Sequence, residues 1–335
     1  MNRKNLAIKE AYDEASPFLD VYPNYDLFSL PYWVRENIEV AKVSGKTKKS
    51  VIMPDGRRYN LSNKLNHLSG QEWTYYINSV FCTRYPTNGK ESYAHKIRKI
   101  HPSPKPPQLM RDLILFFTKE NELVLDTFMG VGGTLLGAAL CNRRAVGIDL
   151  NAEYVNAYKE AAKELELSEF PTFIGDSIEL TSNDEWAKNI LNGEMFSLLL
   201  IDPPYGNMMS LEKTGADIDV YGKIATPFTN STHDLGNMTR QNFLASLKLS
   251  VENVMKYIKK DGHVVVFIKD LQPKGKEINM LHYDVVNKLN EIQDLNYKGM
   301  RIWADESAKL YPYGYPFSFV ANQIHQYILV FRKEK

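Results

Sequence analysis

Cysteine is nearly missing from this chain of 335 residues: Cys82 and Cys141 are the only two, and they stand far apart. Two thiols so placed build neither a disulfide framework nor a metal cage, and they fit a reducing cytosol. Long apolar runs are missing too. The longest are strand-length, so no membrane span is expected. The start, Met1 to Leu6, lacks the apolar stretch of a secretory leader. Net charge is only +1, which neither requires nor excludes a polyanionic partner. Internal repeats and low-complexity tracts are absent, which argues against solenoids and disordered arrays.

What remains is an ordinary globular composition, 44% hydrophobic and 24% charged, long enough for one large domain with additions. The charge is unevenly spread. Residues 84–111 hold Arg84, Lys90, Lys96, Arg98, Lys99, Lys105 and Arg111 against Glu91 alone. Residues 42–58 hold Lys42, Lys46, Lys48, Lys49, Arg57 and Arg58 against Asp55 alone. Such segments either contact phosphates or form a solvated lysine-rich surface.

Residues 1–95 read as an accessory region, within which Lys49 to Asn60 predicts a hairpin turning at Pro54-Asp55-Gly56. His101-Pro-Ser-Pro-Lys-Pro-Pro107 is stiff and cannot be helical until it ends. Beyond it the pattern alternates. Strands are expected at 123–125, 145–149, 172–174, 196–201, 263–269 and 326–332, and helices at 108–118, 135–142, 152–165, 243–259 and 285–293. The expected fold class is therefore α/β, a mostly parallel sheet with helices on both faces and ligands at the C-terminal strand ends. Residues 207–240, rich in glycine, break the rhythm and predict a mobile functional loop. Tyr311-Pro-Tyr-Gly-Tyr-Pro-Phe317 is expected to pack as a stiff loop, with lining of a base pocket as the other reading.

Asp126-Thr-Phe-Met-Gly-Val-Gly-Gly-Thr134 follows a strand and opens a helix. Its glycines allow close approach to a ligand, and the helix start favours an anionic group such as a carboxylate. Asp149 ends the next strand, where an acid accepts ribose hydroxyls. Asp176 ends the third, within reach of an adenine amino group. Both aspartates also suit helix capping. Successive strand-end acids behind a glycine turn favour a cofactor with a ribose and an adenine. Asp202-Pro203-Pro204-Tyr205 then closes the apolar strand 196–201. An acid, two prolines and an aromatic suit the holding of a planar, amino-bearing base. The competing reading is a proline-stopped strand with a capping aspartate.

Together these motifs resemble the DNA amino-methyltransferases that act on adenine N6 or cytosine N4. The 101–106 segment is similar to the stretch before that family's first helix, 126–134 to its cofactor loop, and 202–205 to its catalytic motif. Thr127 stands where the family usually has proline, and Gly133 where it has threonine; both are small, so the cofactor site is expected to survive. The cofactor loop precedes the catalytic motif, whereas the branch suggested by the Lys105 segment has the opposite order, so the chain reads as permuted. The resemblance implies a Rossmann-like methyltransferase domain over 96–335, S-adenosylmethionine as cofactor, and double-stranded DNA as partner, with a flipped adenine as target. It allows a restriction-system partner or a homodimer, and implies no membrane and no metal. Carried over residue by residue, the cofactor site is Lys105, Pro106, Asp126, Phe128, Gly130, Gly132, Thr134, Asp149 and Asp176. The catalytic set is Asp202 and the Pro203 carbonyl as acceptors for the amine, Pro204, and Tyr205 stacked on the base. Phe128 could equally be core packing, Lys105 could contact phosphate or solvent, and His101 reads as structural. Target recognition is expected from 1–95 and the 207–240 loop. Cytosine N4, RNA guanine N2 and a non-catalytic DNA-binding subunit remain as alternatives.

Overall fold

The computed structural model describes residues 3–207, 228–270 and 278–335. Two compact units are present: Met1–Asn78 with Leu113–Asn121, and Ser79–Asp112 with Glu122–Lys335.

The first unit holds a four-stranded antiparallel sheet in chain order, β1 (Ser16–Pro17), β2 (Lys42–Ser44), β3 (Ser50–Ile52) and β4 (Arg58–Asn60). The hairpin expected at 49–60 is β3–β4, closed by Gly56 N donating to the Met53 carbonyl at 2.9 Å. Strand residues Val43, Val51 and Tyr59 are buried with Phe18, Leu30 and Val34 in a separate core. Within this unit Arg35 pairs with Glu120 at 3.1 Å.

The second unit carries an eight-stranded sheet. Its strands are β5 (Val80–Thr83), β6 (Leu123–Asp126), β7 (Arg144–Asp149), β8 (Thr172–Ile174), β9 (Phe196–Ile201), β10 (Ile258–Ile268), β11 (Leu295–Asp305) and β12 (His325–Lys333). The spatial order is β5-β11-β12-β10-β9-β6-β7-β8. Only β12 runs antiparallel to its neighbours; the other pairs are parallel. Every residue of β9 is buried, which requires cover on both faces of the sheet. The helices Gly133–Ala139 and Ala152–Glu164 follow β6 and β7, as alternation predicts. Asn151 starts the latter by accepting from Glu153 N at 2.9 Å. Among the described residues, no helix is long and apolar enough to cross a membrane.

Several boundaries and two whole strands of this sheet, β5 and β11, differ from expectation. The helix expected over 243–259 is Arg240–Val254, started by the Thr239 side chain. Its predicted tail is instead a 3-10 turn and the first residues of β10, which continues through the strand expected from 263. Strand β11 has no counterpart in the sequence reading, because a register shift between Tyr297 and Gly299 breaks its apolar alternation. Short helices Ser177–Thr181 and Glu185–Leu191 were also not foreseen. The packing expected of the aromatic segment near 311–317 does not occur: Tyr315 is 81% exposed and Phe317 93%. Of the 207–240 loop, 208–227 lie outside the described residues, while Leu235–Asn237 form a 3-10 turn capped by Asp234.

Candidate active site

A cavity opens at the C-terminal ends of β6 to β10. It is lined by Lys105, Phe128, Gly130, Asp149 and Asp176, and by the whole of Asp202, Pro203, Pro204 and Tyr205. Nine of the thirteen sequence-predicted site residues therefore share one space. Pro106 faces an adjoining cavity, which also contains Lys105. Asp126 and Thr134 line a small recess behind the glycine turn. Gly132 shapes the turn instead of lining the main cavity.

The turn is held from behind. Asp126 is 2% exposed and accepts from Phe128 N at 3.0 Å and from the Thr134 hydroxyl. Burial pushes its carboxyl up to about 7. Asp149 accepts from Gly130 N at 2.7 Å and Asn151 N at 2.8 Å, so it fastens the turn to the end of β7. Burial raises it to about 6. Gly132 has φ +75°, and a Cβ there would lie 2.2 Å from Tyr158. Gly133 meets the Lys105 carbonyl: a Cβ would stand 2.8 Å from that oxygen. This close approach is the physical reason for glycine at a position where threonine was the expected residue.

Arg98 belongs to the basic segment that suggests phosphate contact or a solvated surface, but it is 1% exposed. Its guanidinium donates to the Val131 carbonyl at 3.1 Å and to the Lys105 carbonyl, tying the glycine turn to the proline-rich segment. Burial lowers its pKa to about 10. No sequence signal separates it from exposed Lys96 and Lys99. Lys105 is buried as well, and its ammonium pairs with Asp202 Oδ2. The two most enclosed cations of the basic segment thus build the site, and neither is free surface charge.

The other Asp202 oxygen accepts from the Tyr205 hydroxyl at 2.5 Å. Asp202 is therefore held by two side chains, in place of the capping role that its strand-end position also allowed. Tyr205 is 9% exposed and packs in the main core, and burial raises its hydroxyl well above the ordinary tyrosine value. Phe128 satisfies both of its readings, packing against that core and facing the cavity.

Asp176 caps the helix Ser177–Thr181 through Ile178 N, at 2.8 Å. Its second oxygen is 2.9 Å from His233 Nδ1. Glu179 lies near this pair, and ligand atoms of the three fall within 4.8 Å of one another. His101 stacks on Phe228 with centroids 5.1 Å apart and meets Tyr154 edge-on. Its Nδ1 accepts from Ser103 N at 3.1 Å, and burial lowers its pKa to about 3, so the ring is a neutral wall.

Thr127 reports on what the cavity could hold. It is 1% exposed, lines the cavity, and its hydroxyl has no hydrogen-bond partner. A buried, unsatisfied hydroxyl beside a glycine turn fits a polar group of a bound ligand. The sequence carries this signal as the departure from proline, where size alone does not reveal the added hydroxyl.

Residues 9–160 match the family model described as DNA methylase, of the N6/N4 type. A Type II methyltransferase of Moraxella bovis is 32% identical over 145 residues, 43% of this chain and 50% of that protein. A Type II methyltransferase of Haemophilus parainfluenzae is 42% identical over 87 residues, 26% of each chain. A tRNA (guanine(10)-N2)-dimethyltransferase of Pyrococcus abyssi is 28% identical over 106 residues, 32% of this chain and 30% of that one. The chain spans half or less of the length of these relatives.

Proposed function

From the chain's kinship with the N6/N4 DNA amino-methyltransferases, we propose that it transfers a methyl group from S-adenosylmethionine to the exocyclic N6 of adenine in duplex DNA. The observation that carries this reading is Asp202, fixed by Lys105 and Tyr205 at the end of β9 and facing the same cavity as the glycine turn.

The cofactor supplies an electrophilic methyl on a sulfonium. The chain's part is to place an amine against it. Adenine N6 is a poor nucleophile because its lone pair is delocalised into the ring. Asp202 accepts one of its hydrogens and the Pro203 carbonyl the other, which draws the nitrogen toward tetrahedral geometry. An ionised carboxylate has about four lone-pair sites, so two existing donors leave room for the amine. The two prolines fix the backbone that aims the acceptor carbonyl. Most of the rate gain is positional. The nitrogen gains the methyl and then loses a proton, which needs no strong base. The Thr127 hydroxyl, Asp149 and Asp176 bind the donor, and the glycine turn lets it approach the backbone closely.

Adenine is favoured over cytosine by the aspartate at the first catalytic position. RNA guanine N2 is the second reading, motivated by the likeness to the tRNA dimethyltransferase. Labelled S-adenosylmethionine offered with duplex DNA or with tRNA, followed by nucleoside mass spectrometry, separates these outcomes. N6-methyl-2′-deoxyadenosine from duplex DNA is expected. Label confined to N4-methylcytosine, or to methylguanosine in tRNA, would replace the reading.

A further inference from the structure

The connection between β11 and β12 is an exposed aromatic feature of the larger unit. Phe317 and Phe319 are 93% and 94% exposed. A bare phenylalanine costs hydration free energy, and adjacent bare ones mark a contact surface. The backbone that carries them is well tied. Tyr311 and Asn322 exchange two hydrogen bonds of 2.8 Å across the neck. Phe317 N and Ser318 N both donate to the Gly314 carbonyl, at 2.7 and 2.8 Å.

Topology sets where these rings stand. Because β12 alone is antiparallel, the connection leaves the sheet at the rim where β9 delivers Asp202. Gln326, at the start of β12, lines the cavity that holds Asp202. Exposed charges of both signs, Arg84, Glu306 and Lys309, share this rim. Arg84 follows Thr83, whose carbonyl accepts from Glu306 N at 3.0 Å, and Lys309 lies in the connection itself. Flat aromatic faces on a tied loop, at the rim of the cavity that holds Asp202, match a polymer of flat bases better than they match an apolar protein surface.

We propose that Phe317 and Phe319 enter the base stack of duplex DNA and occupy the space left by the base delivered to Asp202. This rests on the methyltransferase reading above. Both side chains are solvent-facing, so alanine there leaves the fold intact. The test uses the full chain saturated with S-adenosylhomocysteine. Binding is measured by fluorescence anisotropy to an intact short duplex, to the same duplex with one central abasic site, and to tRNA. Wild type is expected to favour the abasic duplex. Phe317→Ala/Phe319→Ala should lose that preference and about tenfold in duplex affinity, with unchanged melting temperature and cofactor affinity. Unchanged duplex binding by the variant overturns the proposal and leaves the function standing. A loss confined to tRNA, or a loss of self-association in sedimentation in place of DNA binding, overturns it in favour of that occupant. Wild type that binds neither duplex removes both this proposal and the DNA reading.

Discussion

The glycine turn and the Asp202 strand end face one cavity but are wired in opposite ways. In the turn, carboxylates are spent on the chain's own amides: Asp126 on Phe128, and Asp149 on Gly130 and Asn151. Backbone is fixed by side chains, and what remains turned to the cavity is chiefly glycine backbone and one unsatisfied hydroxyl. At the strand end the arrangement is reversed. Prolines fix the backbone, and the carboxylate is held only by exchangeable side-chain donors, Lys105 and Tyr205. A rigid wall suits a cofactor that must be oriented, and an adjustable acceptor suits a substrate amine that arrives and leaves.

The largest effect that would break this contrast is at Asp202. Asp202→Ala should lower transfer by at least about 1,000-fold while cofactor affinity, read by calorimetry, stays nearly unchanged, since positioning supplies most of the rate. Lost cofactor binding in that variant would mean the two walls are one. Next is Arg98→Met, which leaves the Val131 and Lys105 carbonyls buried without their donor. A loss of about 2–5 kcal/mol in denaturant unfolding is expected, with cofactor affinity falling as well. Thr127→Val keeps the shape and removes the hydroxyl. It should weaken cofactor binding by about tenfold without lowering stability, because the hydroxyl has no partner in the free chain. The smallest effect concerns pH. Folded Asp126 holds its proton up to about 7 against an ordinary 3.8, so the folded state binds more protons across that window. The contribution of Asp126 to stability should therefore be full below about pH 4 and fall as pH rises toward 7. Asp126→Asn should flatten that slope in thermal melts, and an unaltered slope would place the titration elsewhere.

The sequence was most legible in the short apolar strands, two of which, β6 and β9, are buried throughout. Strands β6 to β9 are short apolar runs ending in acids, and both the runs and the acids lie close to where their pattern put them. It was least legible where context decides. Strand β11 hid because one bulge reverses which residues face inward. Arg98 hid because charge is counted along the chain, whereas its guanidinium serves two carbonyls brought close only by folding. Gly133 looked like a neutral exchange of one small residue for another until the Lys105 carbonyl was found against it. Phe317 failed the expectation of burial for a related reason: apolar character says what a side chain prefers, and the neck at Tyr311 and Asn322 says what it is allowed.

The reversed course of β12 has a consequence for engineering. A strand that returns against its neighbours brings both ends of its connection to the rim where the candidate site opens. Residues 306–324 can lengthen, shorten or change composition without altering any pairing among the inner strands. The inner strands and their strand-end residues are therefore built independently of this connection, and a different segment can be grafted between β11 and β12 without touching the residues that wall the main cavity.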